Sequence, residues 1–86
     1  MARKNTLSRH SNPLNRELRY DTGAKLKRLR VKKFGGDTNA RVTAALTAGM
    51  DPSQLDRYER AEALPTLTVL YHLLSCWESN WKEFHE

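Results

Sequence analysis

The sequence holds a single cysteine, Cys76, which excludes an internal disulfide framework. A reducing, cytoplasmic setting is therefore expected. Apolar runs are short, and none approaches the roughly 18 residues that a membrane span requires. The basic opening MARKNTLSRH has no apolar stretch behind it, unlike a secretory signal. The marks of catalysis are missing too. Gly35-Gly36 lacks the strand–loop–helix setting and the Lys-Ser/Thr ending of a phosphate loop. His10, His72, His85 and Cys76 show no metal-site spacing; His72 and Cys76 share a helix face four apart, but two ligands are too few for zinc. Glu59 and Glu62 fall at polar helix ends with no sign of a pocket. Neither an enzyme nor a bound cofactor or metal is expected.

Acidic residues are also few where basic ones are many. Residues 1–36 carry eleven Lys or Arg (Arg3, Lys4, Arg9, Arg16, Arg19, Lys25, Lys27, Arg28, Arg30, Lys32 and Lys33) against Glu17 and Asp21, a net +9. Residues 37–86 carry four against eight acids, a net −4. Such asymmetry suggests a surface that meets a polyanion. KLKRLRVKK has too few large apolar residues for an interfacial membrane helix, which leaves nucleic acid as the partner to test. A chain of 86 residues makes at most one small domain, with a modest core that a partner subunit often supplements.

Glycine and proline number four and three, and those present read as helix punctuation. Residues 1–12 lack apolar periodicity and read as a flexible basic arm; the remainder, 13–86, reads as one all-α domain. Asn12-Pro13 signals a helix start, and Leu14 with Leu18 predicts a short helix over 13–20. Asp21 or Thr22 caps a second helix with Leu26 and Leu29 on its buried stripe, ending near Phe34 at Gly35-Gly36-Asp37. Thr38 or Asn39 caps a third through Val42, Ala45 and Leu46 to Ala48, which Gly49 ends in a left-handed turn. Asp51 caps a fourth beginning at Pro52 and running to about Arg60. Thr66 caps LTVLYHLLSCW, and a last short helix carries Trp81 and Phe84.

Two short helices joined at Gly49 make a helix-turn-helix, whose second helix is of a size for the DNA major groove. Ala44, Ala45 and Ala48 permit the close approach that a steep corner needs, and Met50 and Leu55 anchor it. Ser53, Gln54, Asp56 and Arg57 are left on the outer face as base-reading candidates. Arginine pairs with guanine, glutamine with adenine, and an acid accepts from cytosine.

Here the chain resembles the lambda Cro/repressor-type helix-turn-helix proteins, the xenobiotic-response-element family. Ala45, Gly49, Met50, Ser53, Glu59 and Pro65 fall on that family's pattern. Leu67 and Leu70 stand where its next helix is apolar, and Leu26, Leu29 and Arg30 match its Leu-x-x-Leu-Arg. The resemblance covers about residues 23–76 and implies a compact five-helix fold. It also implies an Arg30–Glu59 pair linking the first helix to the recognition helix, and a phosphate contact from Arg41. Arg60, Lys32 and Lys33 are further basic residues expected at phosphates. The chain departs from the family in the longer loop KKFGGDTN, in Pro52 at a position that often reads bases, and in Ala61 where a glycine is usual.

Trp77, Trp81 and Phe84 repeat at i, i+4 and i+7, which predicts one aromatic face. That face closes the core or forms a dimer interface, with Trp77 inward and Trp81 and Phe84 across a two-fold axis. The resulting expectation is a homodimeric, sequence-specific repressor on a palindromic operator in double-stranded DNA, of the kind encoded by phages and plasmids. Its arm is placed to follow the duplex or enter a minor groove. The competing expectation is an antitoxin-type protein-interaction module whose DNA binding is secondary.

Overall fold

Pro13 fits the first position of a helix because it has no N–H to leave unpaired. In the computed structural model, which describes residues 13–86, helix α1 runs unbroken over Pro13–Phe34. The expected arm and the Asn12 cap lie outside the described residues. The sequence predicts a break near residue 21, with Asp21 or Thr22 as a cap. Instead the Asp21 carboxylate pairs with Lys25 Nζ at 2.9 Å, one turn onward, and supports continuation of the helix.

Four further helices follow: α2 (Thr38–Thr47), α3 (Pro52–Glu59), α4 (Leu67–Cys76) and α5 (Trp81–His85). All regular structure among the described residues is helical, and no helix there is long and apolar enough to cross a membrane. Each helix after the first opens on a side-chain cap. Asp37 accepts from the Ala40 N–H at 2.7 Å, so it replaces the expected Thr38 or Asn39, which lie inside the helix. Asp51 caps α3 ahead of Pro52, Thr66 caps α4 and Asn80 caps α5.

Helices α2, α3 and α4 also end alike. The residue two past each helix has a left-handed backbone: Gly49 (φ 67°), Ala61 (φ 64°) and Glu78 (φ 55°). The next N–H reaches back to a carbonyl of the last turn, from Met50 to Ala45, Glu62 to Arg57 and Ser79 to Leu74. This double closure satisfies carbonyls that a helix end leaves open. Only the first of the three uses glycine.

Every helix contributes to one core: Leu26 and Leu29 from α1; Ala44, Ala45 and Ala48 beside α2's end; Leu55 and Tyr58 from α3; Leu70, Leu73 and Leu74 from α4; then Trp77 and Phe84. Leu46, expected on the buried stripe, is 62% exposed, because the small-residue stripe of α2 is the one that faces inward. Trp77 packs edge-on against Phe34 and donates its Nε1–H to the Ala44 carbonyl at 2.9 Å. The Ala48 carbonyl lies 2.7 Å from His72 Nε2 and can only accept, so that nitrogen carries the proton.

Charge as well as apolar packing holds α5 against the C-terminal half of α1. Lys32 pairs with Glu83 and Glu86, Lys33 with Glu83, and Arg28 donates to the Phe84 carbonyl at 3.0 Å. The Ser79 hydroxyl, 2.6 Å away, and Lys33 together pull the Glu83 carboxyl down to about 2. Hydrogen bonding to Glu83 in turn raises the Lys32 ammonium pKa.

Midway along α1, Gly23 is buried because α3 terminates against it. A Cβ added there would stand 2.5 Å from the Tyr58 carbonyl oxygen and 3.0 Å from that of Glu59. Glycine-to-alanine in an open helix interior stabilises by about 1 kcal/mol. Here the clash is with backbone, and Gly23→Ala is expected to destabilise by about 2 kcal/mol, within the range for overpacking. Urea unfolding checks this; a higher midpoint for the variant would show that the two backbones do not abut.

Candidate nucleic-acid interface

The corner between α2 and α3 follows from local chemistry. Gly49 takes the left-handed backbone without a steric cost, and nothing crowds the place where a Cβ would be. Asp51 Oδ1 then accepts both the N–H and the hydroxyl of Ser53 at 2.9 Å. Those two bonds, the N–H first, hold the Asp51 carboxyl below its ordinary range. Ser53 Oγ thus spends its proton on the cap and offers a neighbouring molecule only acceptor capacity.

Arg30 sets the rotation of α3. Its Nε donates to Glu59 Oε2 at 2.7 Å and its Nη2 to Glu59 Oε1 at 2.8 Å, a two-pronged pair with side chains only 3% and 4% exposed. A third donor, Nη1, reaches the Gly35 carbonyl at 3.2 Å and ties down the turn after α1. The structure brings together the two residues that the family resemblance implies as a pair, and buries them almost completely. Arg19 adds a bond from Nε to the Ala61 carbonyl at 3.1 Å, just past the end of α3.

With Leu55, Tyr58 and Glu59 turned inward, Ser53, Arg57 and Arg60 form an exposed stripe at i, i+4 and i+7. Gln54 and Asp56 flank it, each half-buried. Arg57 makes no ion pair with any described residue, whereas Arg60 pairs with Asp56 and Glu62, each at 3.3 Å. Arg41, in the first turn of α2, lies across the corner with Nη1 3.2 Å from Asp56 Oδ1. Its Nε is buried and finds no hydrogen-bond partner. Asp56 is therefore engaged by two guanidinium groups rather than open to a base edge. Helical spacing alone marks Asp56 as an outward acid, and it shows Arg41 and Arg60 only as separate basic residues.

Two other groups of expected residues sit elsewhere. Lys32 and Lys33 stand at the α5 end of the molecule, tied to Glu83 and Glu86 and, for Lys33, to the Glu78 carbonyl at 3.2 Å. They do not join the stripe on α3. The aromatic face is not one face. Trp77 ends α4, Glu78 reverses the backbone, and Trp81 begins α5, so the i, i+4, i+7 pattern spans two helices. Trp77 and Phe84 are each 3% exposed and lie in the chain's own core, which removes both from a dimer interface. Trp81 alone remains accessible, beside Leu67, Thr68 and Tyr71 in a shallow apolar groove. Leu67 and Tyr71 were not among the expected interface residues, although their i, i+4 spacing on α4 was a usable signal.

Removing one partner of a buried ion pair strands the other charge, which costs about 3–5 kcal/mol. Glu59→Ala is accordingly expected to lower the unfolding free energy by about 3 kcal/mol or more. Glu62→Ala, whose partner Arg60 is largely exposed, falls within about 0.5 kcal/mol of wild type. Chemical denaturation of the two variants side by side is the check; equal losses would deny the Arg30–Glu59 pair its bracing role.

No protein-family model, curated protein or solved structure matches the chain.

Proposed function

We propose that the chain is a sequence-specific DNA-binding repressor of the lambda Cro/repressor-type helix-turn-helix kind, acting as a homodimer on an inverted repeat. The observation that carries this reading is the stripe Ser53–Arg57–Arg60 on a short helix whose rotation is set by a buried ion pair. A helix held this way presents its outer side chains at a fixed angle, as insertion into a major groove requires. Arg57 is the principal reader, suited to the two acceptors of guanine; Gln54 and the Ser53 oxygen flank it. Arg60 and Arg41, both gathered at Asp56 on one flank of α3, are the phosphate contacts, which supply affinity without sequence preference.

The homodimer rests on α4. Its ten residues include no Asp, Glu, Lys or Arg, in contrast to the other four described helices. Copies that each carry a net +5 repel one another, so an association between them favours a face without charge. Leu67 and Tyr71, 72% and 63% exposed, with Trp81 beside them, form that face, and a second copy is its occupant. Reading an inverted repeat requires this dyad to set two α3 helices in successive major grooves about 34 Å apart.

Selection of bound sequences from random duplexes tests the reading directly, and the expected product is a short inverted repeat. On that site Arg57→Ala is expected to lose about 1–3 kcal/mol of binding, with little change on scrambled DNA. An unchanged ratio of selected to scrambled affinity would mean that α3 is not the reader. Sedimentation of Leu67→Glu with Tyr71→Ala tests assembly, with a shift from dimer to monomer expected while circular dichroism stays helical. A wild-type chain that remains monomeric on and off DNA rejects the α4 dimer.

A further inference from the structure

Asp56 flanks the exposed stripe of α3, and its placement conflicts with a role in reading. A carboxylate that accepts from a cytosine amino group must be free to face the base. Here Arg41 of α2 and Arg60, which caps the end of α3, approach it at 3.2 and 3.3 Å, and its side chain is only 25% exposed. The Arg41 pose has a cost of its own, because it leaves the Nε–H buried and unpaired. Turning Arg41 outward onto a phosphate oxygen would relieve that group and exchange one acid partner for another.

We infer that Asp56 is a specificity-determining residue that acts by restraint: in the free protein it holds Arg41 and Arg60 against α3 and lowers charge-driven binding to arbitrary duplexes. The inference rests on the DNA-binding reading above. A polyanion attracts Arg41 and Arg60 wherever it meets them, so without a counterweight both add affinity for any sequence. Asp56 sets such a counterweight. Release of the two arginines costs their bonds to the carboxylate, and only a duplex that also satisfies Arg57 compensates in full. Arg57 has no acid partner among the described residues, so restraint falls on the phosphate-directed arginines and spares the reader.

Asp56→Asn on the full chain is the test, with the selected duplex and a scrambled one as probes across a salt series. Affinity for the scrambled duplex is expected to rise and the selected-to-scrambled ratio to fall. Every further phosphate that an arginine neutralises steepens the salt dependence by roughly 0.9, so for each such phosphate, raising salt from about 50 to about 200 mM weakens the variant roughly three- to four-fold more than wild type. Glu62→Gln makes the same change in net charge but touches Arg60 alone, and its ratio is expected to stay near wild type. Asp56→Ser, with the same expectation, serves if the asparagine variant does not fold. Weaker binding of the selected duplex with scrambled binding unchanged would make Asp56 a base reader and overturn the inference. An unchanged ratio and salt slope would overturn it too. A wild-type chain that enriches no sequence and binds no duplex fails earlier, at the DNA-binding reading itself.

Discussion

The bidentate ion pair between Arg30 and Glu59 is the constraint on which the remaining structure depends. It joins the C-terminal part of α1 to the last residue of α3, and the same guanidinium also holds the Gly35 carbonyl. Burying two charges costs desolvation that their attraction only partly returns, and a well-packed apolar pair often serves stability as well. Apolar packing, however, is tolerant of rotation. Two parallel hydrogen bonds are not, and they fix which side of α3 faces the core. Leu55 and Tyr58 are inside and Arg57 outside because Glu59 has one position available to it.

Much of the basic character of the first half is consumed inside the molecule. Arg19, Arg28 and Lys33 donate to carbonyls of Ala61, Phe84 and Glu78, at or just past the ends of other helices. Cations near such ends also suit the partial negative charge of the helix terminus. Lys32 and Lys33 neutralise Glu83 and draw in Glu86. A chain with a small core thus uses long basic side chains as ties between elements. The formal charge difference between the two halves consequently overstates the field available to a polyanion.

The helix boundaries set by punctuation were legible in the sequence: Gly49, Asp51-Pro52 and Thr66 each act through one local bond or one backbone angle. Boundaries that depend on a choice between neighbours were harder to read. Asp37, Thr38 and Asn39 are all competent caps, and the path out of Gly35-Gly36 decides for Asp37. The continuity of α1 was obscured because Asp21-Thr22-Gly23 has the composition of a helix start. What makes it a helix interior is tertiary, since Gly23 has α3 against it. The i, i+4, i+7 aromatics misled for a related reason: periodicity presumes a single helix, and Glu78 reverses the chain despite being neither glycine nor asparagine. Of the candidate site, the outward placement of Ser53 and Arg57 was readable from helical spacing. The capture of Asp56 by Arg41 of the preceding helix was not, because it depends on how steeply the corner folds.

The close approach at Gly23 has a mechanical consequence. Where two helices meet through side chains, a rotamer change can shift their spacing by an ångström or more. At Gly23 no side chain on the α1 surface intervenes, and the distance to the Tyr58 and Glu59 carbonyls is that of backbone on backbone. The joint has almost no play. Residues on the far side of α3 can therefore be exchanged by mutation without altering the angle at which the helix is carried. Geometry and outward chemistry are inherited separately, so new surface specificities can arise on this frame without first re-solving the fold.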